Sequence, residues 1–289
     1  MKNYDAIFIG SGINSLTGAA MLAKQGKKVC VLERNNWFGG NIKTDEITVP
    51  GFKHDVFSGF HPLFVTGPAY AEFKQDLEKQ GLKYVNTDVP TGILFPDNRS
   101  AVLYTDRQKN IEQFEKMSPG DGQGYDAAMK AFAANQDKAF GLLGTELWSW
   151  DGMKLGVKSV TDLGVNGFMD FLGGMLTPAR SWLQKTFKSE VIHGLFAPWV
   201  LHTGLGPDEA ASGYMNQLII ATLEMAGMPV PQGGGQQLPL ALERFIREHD
   251  GEFFNNADVE KILVEKGKAQ GVVANGKRYE AHEILANVT

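Results

Sequence analysis

Three residues near the amino terminus have the types and spacing to hold a diphosphate, and a fourth further on could hold a sugar. Gly10, Gly12 and Ser15 follow a short apolar run, Ala6 to Ile9, of the kind that becomes a strand buried on both faces. They open a segment in which Ile13, Leu16, Ala20 and Ala23 recur at helical spacing. A glycine at position 10 permits a tight turn. One at position 12 leaves bare backbone for a pyrophosphate, with the amides of the helix's first turn, Asn14 among them, directed at it. Ser15 stands where the G-x-G-x-x-G/A fingerprint has its third small residue, which predicts slightly looser helix–strand packing. Gly26 ends the helix, Val29 to Leu32 reads as a second buried strand, and Glu33 follows it, roughly twenty positions after the first glycine. From there a carboxylate accepts hydrogen bonds from an adenosine ribose. Its charge also repels a 2′-phosphate, which argues against NADP and leaves FAD or NAD.

The elements that must position these residues belong to a chain of ordinary globular composition. It has 289 residues, 43% of them hydrophobic, and a formal charge of −5 with no basic footprint, so nucleic acid is not an expected partner. The one cysteine, Cys30, lies in the second strand and reads as a small core residue, which fits a reducing compartment. The first strand begins within a few residues of Met1, leaving no room for a leader peptide, and no apolar stretch reaches the length of a membrane span. The expectation is a cytoplasmic protein, with peripheral contact to a membrane left open.

Beyond Glu33 comes Arg34-Asn35-Asn36-Trp37-Phe38-Gly39-Gly40, whose glycine pair gives close backbone approach along a longer cofactor. This extension resembles the FAD-binding amine-oxidase and phytoene-desaturase superfamily. The following Thr44, Pro50-Gly51-Phe52, His54-Asp55, Ser58 and His61-Pro62-Leu63 resemble the phytoene desaturase-related oxidoreductases, in particular the branch typified by pyridine nucleotide-disulfide oxidoreductase domain-containing protein 2. The resemblance implies FAD as cofactor, held by Gly10, Gly12, Asn14, Ser15, Glu33, Arg34, Gly39 and Gly40. It also implies that the strand around Val259 lays its backbone against the adenine and that Gly233-Gly234-Gly235 faces the flavin. It brings His61 and Asp55 toward the isoalloxazine. The simpler reading of these two, as residues that close a turn or sit satisfied in a loop, is favoured. No catalytic residue and no metal ligand set is assigned.

The implied fold class is α/β, a Rossmann-like FAD-binding domain with an inserted α+β substrate domain, incomplete at its carboxyl end. The boundaries read as 1–70 for the first part of the FAD-binding domain, 71–230 for the substrate domain and 231–289 for the return. Within the insert, Leu82 to Tyr104 reads as short hairpin-like strands. Ser118-Pro119 reads as a helix start, with Tyr125, Met129, Phe132, Ala133, Gln136, Phe140 and Leu143 on one helical face. The glycine-rich stretch from Leu142 to Val165, carrying Trp148, Trp150 and Met153, reads as an irregular connection. From Phe168 to Met228 the chain is helical and apolar. Pro229 to Gly235 marks a domain crossing. A helix from Leu238 to Ile246 and four strands follow, the last two joined at Asn275-Gly276, a strong hairpin signal.

Together these features point to an FAD-dependent oxidoreductase exchanging hydride between the flavin and a hydrophobic, isoprenoid- or lipid-like small molecule. Members of the resembled family continue well past the position of Thr289, so a fragment or one half of a split enzyme completed by a complementary carboxyl-terminal chain is expected. The alternatives are a non-catalytic partner in a larger assembly and an amine-oxidase-like flavoenzyme.

Overall fold

The computed structural model describes residues 4–288, apart from the side chains of Ala139, Leu142 and Leu143, so the last position of the apolar stripe lies outside the described residues. The chain divides into two compact units. Met1–Asn86 and Pro229–Thr289 form one, and Thr87–Met228 forms the other.

The first unit begins with β1 (Tyr4–Ile9), α1 (Ile13–Lys24) and β2 (Val29–Leu32), the strand, helix and strand expected from the opening sequence. Two short strands, β3 (Thr44–Asp45) and β4 (His54–Asp55), pair antiparallel. Helices α2 (Pro62–Val65) and α3 (Pro68–Lys79) and the two-residue strand β5 (Tyr84–Val85) follow.

The second unit contains the hairpin β6 (Thr91–Leu94) and β7 (Ser100–Leu103), then α4 (Arg107–Met117), α5 (Asp121–Gly144), α6 (Trp150–Met175), α7 (Ala179–Thr186), α8 (Glu190–Phe196), α9 (Pro198–Leu201) and α10 (Ser212–Ala226). The chain then returns to the first unit through β8 (Val230–Pro231), α11 (Gln237–Glu248), β9 (Glu252–Phe254), β10 (Val259–Glu265), β11 (Lys268–Ala274) and β12 (Lys277–Ala286).

The main sheet of the first unit has the order β10-β11-β12-β1-β2-β9. Its centre is parallel: β1 lies between β12 and β2, and β9 extends β2. Strand β12 changes partner along its length, with Lys277 to Glu280 antiparallel to β11 and Ala281 to Ala286 parallel to β1. Asn275 and Gly276 both have positive φ at the β11–β12 turn, the left-handed pair that a tight hairpin demands. Every residue of β2 is buried, because helices pack on one face of the sheet and Tyr279 and Val272 on the other. The helical layer brings α1 against α11, and Phe73 and Leu77 of α3 join that core, with Phe73 packed edge to face on Phe245.

This packing moves the boundaries read from sequence. The first unit runs to Asn86 rather than 70, because α3 needs the apolar face of α11, and because Tyr84 and Val85 pair with Pro231 and Val230. The segment Leu82 to Tyr104 is therefore not one hairpin: β5 pairs with β8, and only β6 and β7 pair with each other.

Two further expectations in the second unit are corrected. Ser118 is the carboxyl-terminal cap of α4 rather than the start of a helix, and α5 begins after Gly120, which holds a φ of 96°. The glycine-rich stretch is no irregular connection but the long helix α6. Ser149 caps it by accepting a hydrogen bond from the Gly152 amide, and it kinks at Gly164. The core of the unit is aromatic, Phe114 packing edge to face on Tyr125 and Phe196.

Candidate dinucleotide site

The turn between β1 and α1 is built from main chain. Gly10 has a φ of 86°, and a Cβ there would lie 3.1 Å from the Asn287 carbonyl oxygen, so glycine serves both the turn and the passage of the chain leaving β12. Gly12 differs: a Cβ on it would meet nothing within 4 Å. That open direction faces no protein atom, and Gly12 caps α1 without any side chain, leaving the helix's first-turn amides available to an anion. The second glycine pair closes on the same place. A Cβ on Gly40 would come within 3.2 Å of Gly12 Cα, and one on Gly39 would lie 2.7 Å from Pro239 and 2.8 Å from the Ile42 carbonyl oxygen.

Glu33, at the end of β2, is 5% exposed and accepts four hydrogen bonds from its neighbours. Its Oε2 takes the Ser11 amide at 2.9 Å and the Ser11 hydroxyl at 2.6 Å. Its Oε1 takes the Asn35 amide at 2.9 Å and the Asn35 side-chain amide at 2.8 Å. Those four donors fill the acceptor sites of a carboxylate. A ribose hydroxyl would therefore replace one of the two side-chain donors, Ser11 Oγ or Asn35 Nδ2, rather than meet an unused oxygen. Ser11 is not a residue that the sequence pattern singles out. Its backbone oxygen and hydroxyl both accept from the Gly39 amide, at 3.1 and 3.2 Å, so it ties the first glycine turn to the second.

The remaining predicted residues fall into place around this turn with different degrees of engagement. Asn14 is exposed on the first turn of α1, whereas Ser15 is buried and its hydroxyl has no hydrogen-bond partner. Arg34 is exposed next to the buried carboxylate. Val259 starts β10 opposite Ala274, and the preceding loop reaches the same end of β2, with the Ala257 amide donating to the Glu33 carbonyl at 2.8 Å.

Asp55 and Thr44 have a structural task. The Thr44 hydroxyl donates to Asp55 Oδ1 at 2.6 Å, the same oxygen accepts the Gly235 amide at 2.8 Å, and the Gln236 amide donates to Thr44 Oγ1 at 3.1 Å. Gly234 has a φ of 103°, and a Cβ there would strike Thr44 at 2.5 Å, so the triple glycine is needed for this clasp. His61 is buried, its Nδ1 lies 3.0 Å from the Tyr84 hydroxyl, and its Nε2 has no partner. Burial holds its pKa below the ordinary value, partly offset by the Asp55 charge. Cys30 is buried in the sheet, its thiol pushed up to about 12 chiefly by desolvation.

A parallel strand–turn–helix with open glycine backbone at the helix start, closed by an acidic residue at the end of the next strand, defines a Rossmann-like dinucleotide-binding protein. A family model described as an NAD(P)-binding Rossmann-like domain matches residues 9–77. The chain is 27% identical over 279 residues to one of the subunits of limonene dehydrogenase from Castellaniella defragrans, covering 94% of this chain and 48% of that protein. It is 29% identical over 303 residues to pyridine nucleotide-disulfide oxidoreductase domain-containing protein 2 of Rattus norvegicus, covering 94% and 51%. It is 27% identical over 292 residues to the neurosporene-forming phytoene desaturase of Rhodobacter capsulatus, covering 98% and 52%. Among solved structures, an oxidoreductase from Methanosarcina mazei superposes with a TM-score of 0.60 at 20% identity, covering 98% of this chain and 58% of that one. The relatives thus include the phytoene desaturases and the branch expected from the sequence, and they are oxidoreductases. The chain spans about half the length of these curated relatives.

Proposed function

We propose that the chain binds FAD and serves an oxidoreductase that exchanges hydride between the flavin and a hydrophobic, isoprenoid- or lipid-like molecule. The observation that carries the reading is the open main chain at Gly12. It lies at the uncapped start of α1, is backed by Gly40 and is held in shape by Ser11 and Glu33. Bare backbone and helix-start amides suit the pyrophosphate, the acidic residue suits a ribose without a 2′-phosphate, and the second glycine pair suits a cofactor longer than NAD. Bound FAD would supply the hydride chemistry, which fits a chain whose sequence offers no triad or paired carboxylates.

The protein's own part is to anchor the diphosphate on α1, orient the ribose through Glu33 and keep the Gly233–Gly235 turn fixed through Asp55 and Thr44. A hydrocarbon substrate is supported by the named substrates of two relatives, limonene and phytoene. The half-length match, and the fact that one relative is named as part of a multi-subunit enzyme, support a working assembly with a complementary chain.

The test is titration of the purified chain with FAD, followed by flavin fluorescence and by retention of the visible spectrum after desalting. Saturable binding to the wild type, lowered at least about tenfold in Glu33→Ala through loss of charge-assisted hydrogen bonds, is the expected result. Equal FAD affinity in Gly12→Val and wild type would contradict the diphosphate placement.

A further inference from the structure

We propose that the turn joining α5 to α6, together with the outward face of the first half of α6, docks onto the surface of a lipid bilayer. The turn carries Trp148, 97% exposed, and Trp150, 75% exposed, beside an exposed Leu147. Two indoles displayed to solvent this fully are among the largest apolar surfaces a chain can offer, and indole is the side chain most at home where hydrocarbon meets headgroups.

The display is built rather than loose. The Ser149 amide and hydroxyl both donate to the Glu146 carbonyl, at 3.1 and 2.6 Å, and Ser149 Oγ accepts the Gly152 amide at 3.1 Å. A Cβ on Gly152 would lie 2.5 Å from the Leu147 carbonyl oxygen, so the turn is tight enough to require glycine there. The tryptophans are held outward by ordered backbone.

The apolar surface continues along α6 in register. Trp150, Met153 and Val157 are exposed and share one helical face, while Ser159, the buried residue of this helix, lies on the opposite face at about 100° per residue. Lys154 and Lys158 flank the exposed stripe, with stems long enough to lie along apolar surface while their ammonium groups reach phosphates. Glu146 and Asp151 balance these two lysines, so the surface has no net charge with which to seek an acidic or basic protein. Among the described residues no helix is long and apolar enough to cross a membrane, which leaves lying on the surface as the mode of contact. The inference does not depend on the cofactor reading, although a hydrocarbon substrate would be met at the same surface.

The test is co-sedimentation of the whole chain, without FAD or substrate, with sucrose-loaded phosphatidylcholine vesicles. Binding is expected to change little when phosphatidylserine is added or when salt is raised to about 0.5 M, because burial of apolar surface rather than charge drives it. Trp148→Ala combined with Trp150→Ala is expected to lower partitioning by about tenfold or more. Its circular dichroism and unfolding midpoint should match the wild type, since both side chains are exposed. The proposal is overturned by no vesicle binding, by release in salt, or by a double variant that partitions like the wild type. Self-association abolished by the double substitution without vesicle binding also overturns it, assigning the surface to a second copy instead. Because FAD titration is a separate measurement, failure here is distinguishable from failure of the cofactor reading.

Discussion

At the scale of single residues, the best-defined electrostatic unit lies away from the nucleotide turn. Glu224 on α10 is buried and receives Arg107 through Nε at 2.8 Å and Nη2 at 2.6 Å, while the Tyr125 hydroxyl and Asn110 Nδ2 donate to its other oxygen. Burial and the neighbouring carboxylate hold the Tyr125 phenol far above its ordinary pKa, so it stays a donor. Glu224→Ala leaves a buried phenol and a guanidinium without their acceptor, and a loss of about 3–5 kcal/mol in chemical unfolding is expected. His61 gives a pH dependence. Its folded pKa lies below the ordinary value of 6.5, so the unfolded chain takes up the proton first as the solution is acidified. The stability that neutral His61 contributes is therefore complete above about pH 6.5 and is lost as pH falls from there through the folded pKa. Unfolding midpoints measured from pH 8 down to about 5 should fall less steeply in His61→Gln than in the wild type; parallel profiles would show that His61 titrates normally.

At the scale of elements, the clasp formed by β3, β4 and the triple glycine is the most exposed to a single change. Asp55→Ala removes the acceptor of both the Thr44 hydroxyl and the Gly235 amide. Stability should drop by about 1–3 kcal/mol, with faster amide exchange at Gly235 and Gln236 while β1 and β2 stay protected. Elements of this kind also mark where sequence reading succeeds and where it stops. The run Ala6 to Ile9, the stripe Ile13, Leu16, Ala20 and Ala23, and the block Val29 to Leu32 each carry their own period, and β1, α1 and β2 form there. The Asn275-Gly276 turn is likewise written locally. Helix α6 is not legible in the sequence, because its glycines read as breakers, whereas Gly141 of α5 packs against Leu155 of α6 and Ser149 supplies the cap. Helix α4 escapes the sequence reading although Asp106 caps it by accepting from the Gln108 and Lys109 amides. At the site, the glycines and Glu33 are readable from spacing. The role of Ser11 is not, because it arises from two turns meeting in space.

For the whole molecule, the two-unit division yields a deletion experiment. Asn86 and Pro229, the ends that flank residues 87–228, follow directly from the β5–β8 pair, in which Val85 stands opposite Val230. A short flexible linker can join such neighbouring ends at low entropic cost. Replacing 87–228 by a few glycines and serines is expected to leave a cooperatively unfolding protein that still binds FAD within about tenfold of the full chain. A molten product with no thermal transition would show that the first unit does not fold alone.

The four-fold engagement of Glu33 has a kinetic consequence. Because Ser11 and Asn35 already occupy the carboxylate, the glycine turn is shaped during folding, and an arriving nucleotide exchanges one donor for another instead of ordering a slack loop. Preorganisation of this sort predicts single-step association whose rate rises linearly with nucleotide concentration, without the plateau that a slow loop closure would impose.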